Sequence, residues 1–413
     1  LKFSNFAIQN LFRPETYRIV PQGEGQTFSI NARTNGQSYT SVSMSFLEPW
    51  LGGKRPNSLS TSIFYSSQTS IADRYLNSMQ SSYYNNPYSY GGYGGGYGGS
   101  YGGGYGGGAY DNGYSLNYDP DKYMRTTGAT IGYGKRLNWP DDYFTFYGEL
   151  SYQLFMLKGW YRSMFPMESG NFNNLSLNLT LSRNSIDNPI FTRSGSSFSL
   201  GLKITPPYSV LNGGKVNGKS YADNTMTDQE RYKWIEYHKW TFTGKTFTPL
   251  DKTNKLILMS RFMFSYVGHF NENAKSPFET FYMGGDGMSA YTSYGTDYIA
   301  MRGYESGSLT PQNPATGSYA GYLYHKFSME LRYPLSLEQS ATIYALTFLE
   351  AGNSFSKLKD YNPFDLKRSA GVGVRIFLPM FGMMGIDWAY GFDKGVNGQR
   401  GGSQFHFVLG QEL

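Results

Sequence analysis

A two-residue alternation of apolar and polar side chains recurs along the chain and constrains its fold more than any other feature. Residues 175–182 read LSLNLTLS, with leucines on one side and polar residues on the other, and the pattern returns at 327–333. Such alternation is typical of a β-strand with one apolar face. Many of these segments run for about 9–12 residues, which matches the roughly 9–11 residues of a tilted membrane-crossing strand and exceeds the roughly 5–6 of a soluble one. The pattern therefore predicts transmembrane strands.

The sequence predicts an all-β fold, a transmembrane antiparallel β-barrel in which residues 1–413 form one domain. Fifteen strands can be placed: 3–12, 26–37, 39–48, 58–68, 127–137, 144–157, 174–184, 197–206, 234–247, 255–268, 321–334, 341–352, 369–378, 384–393 and 403–413. Short connections alternate with long ones, as periplasmic turns and outer loops do in bacterial barrels. Because single-chain bacterial barrels have even strand numbers, we expect sixteen strands, the first lying upstream of Leu1.

Composition excludes several other classes. Aromatic residues make up 18% of the chain and charged residues only 16%, and there is no Cys. The missing Cys rules out a disulfide scaffold or a cysteine zinc site, and no stretch approaches 18 apolar residues, as a membrane-spanning helix requires. The net charge of +6 is scattered, which argues against a nucleic-acid partner. A soluble β-sandwich or propeller would explain the alternation but not the strand length.

Two long connections stand out. Residues 69–126 are expected to form an external loop that contains a Gly/Tyr-rich tract at 88–110. Such a tract cannot bury a core and is expected to be mobile, either as a sticky surface tether or as a tolerated insertion. Residues 269–320 form the second long loop, which carries the segment Met301-Arg302-Gly303-Tyr304, or MRGY.

Catalytic and metal-binding patterns are missing from the sequence. None of the four histidines lies in a metal-spaced pair, and neither a GxSxG elbow nor a P-loop occurs. The single candidate for a hydrolase pair is His325 with Ser328, but residues three apart on a strand point to opposite faces. His325 shares its phase with apolar residues, which favours a surface or interface histidine. The sequence thus predicts a protein that is not an enzyme and uses no cofactor or metal.

MRGY resembles the (V/I)RG(F/Y) signature of the BamA family, the outer-membrane β-barrel assembly factors. Other segments resemble the family's motifs in the same order along the chain: FLEPWLGGKRPNSLSTSIFYS at 46–66, SRNSIDNPIFTRSGSSFSL at 182–200, FLEAGNSF at 348–355, SAGVGVRIFLPMFGMMGIDWAYGF at 369–392 and the terminal FHFVLGQEL. The resemblance implies a sixteen-stranded barrel with POTRA domains upstream, none of which is recognisable in this chain. Since the start LKFSNFAIQN is not a signal peptide, the chain is expected to be a mature or truncated piece.

The resemblance also implies a function and partners. It implies folding and insertion of β-barrel proteins into the outer membrane of a Gram-negative bacterium, through a lateral seam between the first and last strands. The implied partners are nascent barrel clients, accessory lipoproteins and the lipid bilayer. Three alternatives remain: a two-partner secretion transporter of the same superfamily, a passive porin or nutrient transporter, and a barrel hydrolase.

In the family, the arginine of the signature lies in the lumen and meets acidic residues of nearby strands. Glu330 and Glu350 occupy the matching positions, although the family more often has Asp at the second. Arg offers a planar fork suited to carboxylates, and Gly303 allows close backbone approach. The alternative is that Arg302 is an ordinary loop arginine in a weak surface pair.

The terminal strand is predicted to form one side of the seam. Phe405, Phe407, Leu409 and Leu413 share one phase and are expected to face lipid, while Gly410 interrupts the pattern. Glycine there either weakens strand pairing or is a plain packing residue.

Overall fold

A computed structural model describes residues 1–17, 20–34, 39–53, 57–71, 118–160, 167–286, 296–313, 319–338, 340–396, 398 and 401–409. Within these residues, fifteen antiparallel strands form one sheet, which we call the wall. In sheet order they are β1 (Lys2–Phe6), β2 (Gln26–Thr34), β3 (Tyr39–Glu48), β4 (Asn57–Ile71), β5 (Tyr118–Arg136), β6 (Phe144–Lys158), β7 (Gly170–Asn184), β8 (Gly195–Ile204), β11 (His238–Pro249), β12 (Ile257–Gly268), β15 (Leu323–Leu337), β16 (Thr342–Phe355), β17 (Lys367–Leu378), β18 (Gly382–Gly391) and β19 (Ser403–Leu409).

Shorter elements lie in the connections. The strands β9 (Lys215–Val216) and β10 (Lys219–Ser220) pair with each other, as do β13 (Thr280–Met283) and β14 (Thr296–Ile299). The helices α1 (Tyr208–Leu211) and α2 (Asp228–Arg231) are one turn each. In the part of the chain that the structure describes, no helix is long and apolar enough to cross a bilayer.

Alternation separates an outward face of the wall from an inward one. On β15, Phe327 and Met329 are exposed, whereas Ser328 and Glu330 are buried. Large apolar side chains are exposed on strands around the sheet: Ile63, Ile131, Leu150, Leu177, Leu200, Trp240, Leu349, Val372, Ile386 and Phe405. An apolar outer belt around a polar interior is the arrangement of a transmembrane barrel, so the predicted fold class is confirmed.

Some strand boundaries differ from the prediction. β1 ends at Phe6 and not at 12, because the chain turns back: the Ala7 N–H donates to the Pro21 carbonyl at 3.0 Å, and residues 8–10 form a 3-10 helix. β4 and β5 extend into the expected loop 69–126, reaching Ile71 and starting at Tyr118. The Gly/Tyr-rich tract 88–110 lies outside the described residues.

The interior is apolar near both ends of the barrel. At the long-loop end, Phe155 and Leu157 point inward and pack with residues of the connection 269–322 such as Phe278. At the short-turn end, Phe191 in the connection 185–194 packs against Tyr344 of the wall, with ring centroids 5.3 Å apart. The lumen is therefore occupied by protein from both sides.

Candidate functional site

The connection 269–322 between β12 and β15, which we call the lumen loop, enters the barrel. Its strands β13 and β14 pair in parallel, and MRGY follows β14 directly. The Met301 N–H donates to the Gly285 carbonyl at 2.9 Å, which fixes the start of the signature against the end of β13. Met301 is completely buried in the apolar cluster that fills this end of the lumen. The local fold thus delivers Arg302 to the inner face of the wall.

Arg302 lies among three carboxylates, and we call this group the arginine anchor: Arg302, Glu330, Glu350 and Asp387. One terminal nitrogen, Nη2, lies 2.8 Å from Glu330 Oε1 and 2.7 Å from Glu350 Oε1, and Nη1 lies 3.0 Å from Asp387 Oδ2. The backbone N–H of Arg302 donates to Glu350 Oε2 at 3.0 Å. The Phe348 ring centroid lies 3.5 Å from the guanidinium carbon, which adds a cation–π contact.

The wall supplies a cation for each carboxylate of the arginine anchor. The pairs are Glu330 with Arg332 at 2.7 Å, Glu350 with Lys326 at 2.9 Å, and Asp387 with Arg375 at 2.7 Å. Burial alone would lower the pKa of Arg302, but Glu350, Glu330 and Asp387 outweigh burial and raise it, so the guanidinium stays charged. Buried charges persist only when they are paired and hydrogen-bonded, and this cluster meets that condition.

Two glycines make the approach possible. A Cβ on Gly373 of β17 would lie 1.8 Å from Asp387 Oδ1, so glycine there lets the Asp387 carboxylate lean across β17 toward Arg302. Gly303 has φ +84°, and a Cβ there would lie 2.7 Å from the Gly391 nitrogen. Only glycine fits a left-handed conformation with backbone packed so closely against it.

The rest of the signature connects to the strands near the chain's end. The Gly303 N–H donates to His406 Nε2 on β19 at 2.8 Å. The Tyr304 hydroxyl donates to the Arg368 carbonyl at 2.8 Å and accepts from the Asp393 N–H at 3.3 Å. Burial raises the pKa of Tyr304 to about 12, which keeps the hydroxyl protonated as a donor. MRGY therefore contacts five wall strands, β15 to β19.

A second ion-pair group, which we call the lysine anchor, holds the other side of the lumen loop: Glu279, Asp297, Lys203 and Lys239. Glu279 Oε1 lies 2.7 Å from Lys203 Nζ and Oε2 lies 2.9 Å from Lys239 Nζ, while Asp297 Oδ2 lies 2.8 Å from Lys239 Nζ. Lys203 and Lys239 are direct cross-strand partners on β8 and β11. Like charges placed opposite each other destabilise a sheet, so the loop carboxylate neutralises a repulsion built into the wall.

The charge of Glu279 is set by these lysines. Burial by itself would raise the pKa of this carboxyl, but Lys203 and Lys239 lower it to about 2. Glu279 is therefore ionised at neutral pH although its side chain is 4% exposed.

The structure places the sequence-predicted residues as follows. Glu330 and Glu350 both contact Arg302 on the inner face. Phe405 and Phe407 are exposed on the outward face of β19, and Leu409 is the last residue of that strand. Gly410 and Leu413 lie outside the described residues.

The two residues considered for a hydrolase pair lie on opposite faces of β15. Ser328 faces inward, where its hydroxyl donates to Glu350, whereas His325 faces outward. His325 is buried rather than on the surface, because Tyr361 and Phe355 cover its ring.

Sequence reasoning missed Asp387, His406 as a contact of Gly303, and the lysine anchor. Asp387 lies in the phase opposite Ile386 and Trp388, so an acid on an inward face was a signal that could have found it. The Lys203–Lys239 pair becomes visible only when the register between β8 and β11 is known. Within the described residues, no group of three or more His, Cys, Asp or Glu is arranged to hold a metal ion.

This architecture is similar to that of known proteins. The profile of the Omp85 superfamily domain matches residues 22–413. No curated protein sequence gives a match. Among solved structures, BamA from Haemophilus ducreyi lacking POTRA domains 1-3 aligns with a TM-score of 0.57 and 16% identity, over 94% of this chain and 64% of that one. CdiB from Escherichia coli and CdiB from Acinetobacter baumannii align with TM-scores of 0.49 and 0.44 and identities of 11% and 10%, over 93% of this chain and 56% and 54% of theirs.

At these identities the likeness to BamA concerns the fold, and the chain spans 64% of the length of that relative. The family match rests on the sequence and covers almost the whole chain. A fifteen-stranded antiparallel sheet with an inward-folded loop agrees with it. This chain belongs to the Omp85 superfamily.

Proposed function

We propose that this chain is the membrane domain of a protein that folds and inserts β-barrel proteins into the outer membrane of a Gram-negative bacterium. Omp85 members are outer-membrane β-barrels that insert or transport outer-membrane proteins, and superfamily membership supports that general role. The proposed route is a lateral seam between the first and last strands. The proposed partners are nascent barrel clients and accessory lipoproteins, and no catalytic residue or cofactor takes part.

The observation that carries the proposal is the position of β19. β19 is the last strand of the described sheet and pairs with β18, and the first strand expected upstream of Leu1 would be its neighbour across the proposed seam. The signature reaches this same strand through the bond from Gly303 to His406. A loop anchored on β15, β16 and β18 is thereby joined to the strand that borders the seam.

The physical task explains why such an edge is useful. A client strand that enters hydrocarbon with unpaired N–H and C=O groups is costly, because lipid cannot hydrogen-bond to them. An edge strand can template the client by β-augmentation, which satisfies those groups before the client closes. An exposed edge is ordinarily an aggregation risk, and here it is the working surface.

Single cysteines test the seam cleanly because the chain has no Cys. We would place Phe407→Cys on β19 and, as a matched control, Ile386→Cys on β18. The two are cross-strand partners with nearly equal exposure, 55% and 52%. A disulfide requires Cα atoms about 4.4–6.8 Å apart, so a client cysteine paired along β19 reaches the first position and not the second.

We expect a folding barrel client to cross-link to Phe407→Cys and not to Ile386→Cys in the full-length protein in membranes. Equal cross-linking at both positions, or none at either, would overturn the seam mechanism. A secreted protein that cross-links to inward positions such as Gln404→Cys would instead favour the two-partner secretion transporter. The passive porin alternative predicts high ion conductance, which the protein-filled lumen opposes.

A further inference from the structure

The connection 356–366 between β16 and β17 at the long-loop end, which we call the flap, contributes to neither anchor. We propose that the flap binds anionic lipid at the membrane surface, with Leu358 and Phe364 entering the hydrocarbon and Lys357 and Lys359 contacting headgroup phosphates.

The flap folds over the outer face of the wall and not over the lumen. The Tyr361 ring lies edge-on to His325 and Phe355, with centroids 5.5 and 5.4 Å apart, and 6.2 Å from Phe264. Phe264 and His325 are cross-strand partners on β12 and β15, in the same outward phase as exposed Phe327. The flap is thus continuous with the apolar belt that faces lipid.

The tip of the flap presents apolar side chains in a fixed conformation. Phe364 is 88% exposed and Leu358 is 53% exposed. The Phe364 N–H donates to Asn362 Oδ1 at 3.0 Å, and its carbonyl accepts from the Leu366 N–H at 3.0 Å. An aromatic ring and a leucine held beside a lipid-facing surface match the residues that enter the boundary between headgroups and acyl chains.

The charges around the tip favour an anionic surface. Lys357 and Lys359 are exposed, and among the described residues neither has an ion-pair partner, whereas Asp365 pairs with Lys367 at 3.0 Å. Asp360 is the one other acid of the flap. A lysine close to an anionic membrane surface is attracted to the headgroup phosphates.

A third cation lies at the base of the flap. Lys275 of the lumen loop donates from Nζ to the Ser356 carbonyl at 3.0 Å and lies 3.5 Å from the Tyr322 ring centroid. Burial first, and then Lys357, lower the pKa of Lys275 to about 8, so it remains mostly protonated at neutral pH. Lys275 therefore adds its positive charge to those of Lys357 and Lys359 in the flap.

The test uses the full-length protein reconstituted in vesicles, with one cysteine labelled by an environment-sensitive fluorophore at Leu358→Cys and, separately, at Phe364→Cys. The vesicles contain phosphatidylcholine alone or with phosphatidylglycerol, plus brominated lipid as a quencher within the bilayer. We expect quenching at both positions, at least about threefold stronger with phosphatidylglycerol, and weakened by salt because exposed charges are screened.

The charge contribution is tested by Lys357→Glu/Lys359→Glu, which should abolish the gain from phosphatidylglycerol. The matched control is Lys252→Glu/Lys255→Glu, two exposed lysines at the short-turn end, which should leave the gain intact. Heat-modifiable gel mobility checks that every variant is folded. Labels that aqueous iodide quenches freely and brominated lipid does not would overturn the proposal, as would a phosphatidylglycerol gain that survives the flap charge reversal.

Discussion

The two anchors hold the same loop with opposite polarity. In the arginine anchor the wall carries the acids and the loop contributes the cation, whereas in the lysine anchor the wall carries the cations and the loop contributes the two acids. The acids of the first wall site each have a wall cation, so that site is neutralised without the loop. In the lysine anchor, the wall residues Lys203 and Lys239 lie opposite each other, and within the described residues only the acids of the lumen loop neutralise their charges. If the lumen loop leaves, the wall residues of the arginine anchor therefore stay neutralised, whereas the wall lysines of the lysine anchor are left with unbalanced charge.

The largest expected effect comes from Arg302→Ala. Removing one partner of a buried ion-pair cluster costs about 3–5 kcal/mol, and here that loss falls on loop attachment because Glu330, Glu350 and Asp387 keep their wall cations. We expect protease to cut the lumen loop while heat-modifiable mobility of the barrel persists. Arg193→Ala, at an exposed arginine, is the control. Loss of barrel folding together with the loop would show that the wall site is not self-sufficient.

The lysine anchor is tested by Glu279→Gln, which leaves Lys203 and Lys239 facing each other across β8 and β11. We expect a loss of about 3 kcal/mol in thermal or denaturant stability, since buried Lys239 and half-buried Lys203 lose the carboxylate between them. Adding Lys203→Gln removes the repulsion, while Lys239 keeps Asp297, so the double variant should recover much of the loss. If the double variant is instead less stable than Glu279→Gln alone, the two lysines do not repel each other and the lysine anchor does not differ from the arginine anchor in this respect.

Acid tests the lysine anchor in another way. Because the pKa of Glu279 is lowered to about 2 in the folded protein, its contribution is complete above the unfolded value near 4.5 and is lost as pH falls through the folded one. Between pH 7 and pH 3 we expect about 2 kcal/mol of stability to disappear from this carboxylate alone. The measurement is the pH dependence of stability for wild type minus that of Glu279→Gln. A difference that stays flat over this range would contradict the assignment.

The smallest expected effect is that of Gly373→Ala, which displaces the Asp387 carboxylate from Arg302 without removing any charge. We expect a cost of about 1–2 kcal/mol, since the nearest atom to the added Cβ belongs to the Asp387 side chain and not to the backbone. Gly148→Ala on β6 is the control, because its added Cβ would meet the nearest atom, Leu179 Cδ2, at 3.5 Å. Protease sensitivity of the lumen loop should rise for Gly373→Ala and not for Gly148→Ala.

The strands were predictable from the sequence because the inward and outward phases alternate within each strand. Glu330 and Glu350 were expected to meet Arg302 because the family resemblance implied it, and the structure places both on Arg302. Asp387 was missed because it reaches Arg302 only across Gly373 on an intervening strand. The facing lysines depend on register between strands, which no single strand encodes. Phe155 and Leu157 break the polar inner pattern because the loop, and not water, covers them.

The arginine anchor joins parts of the chain that are synthesised at different times. Arg302 contacts side chains 28, 48 and 85 positions further on, and Gly303 contacts one 103 positions further on. Contacts over such separations carry the entropy cost of closing long loops and form after local pairing. We therefore expect the signature to lock only when β15 to β19 are all in place, so that burial of Arg302 marks the end of the protein's own folding.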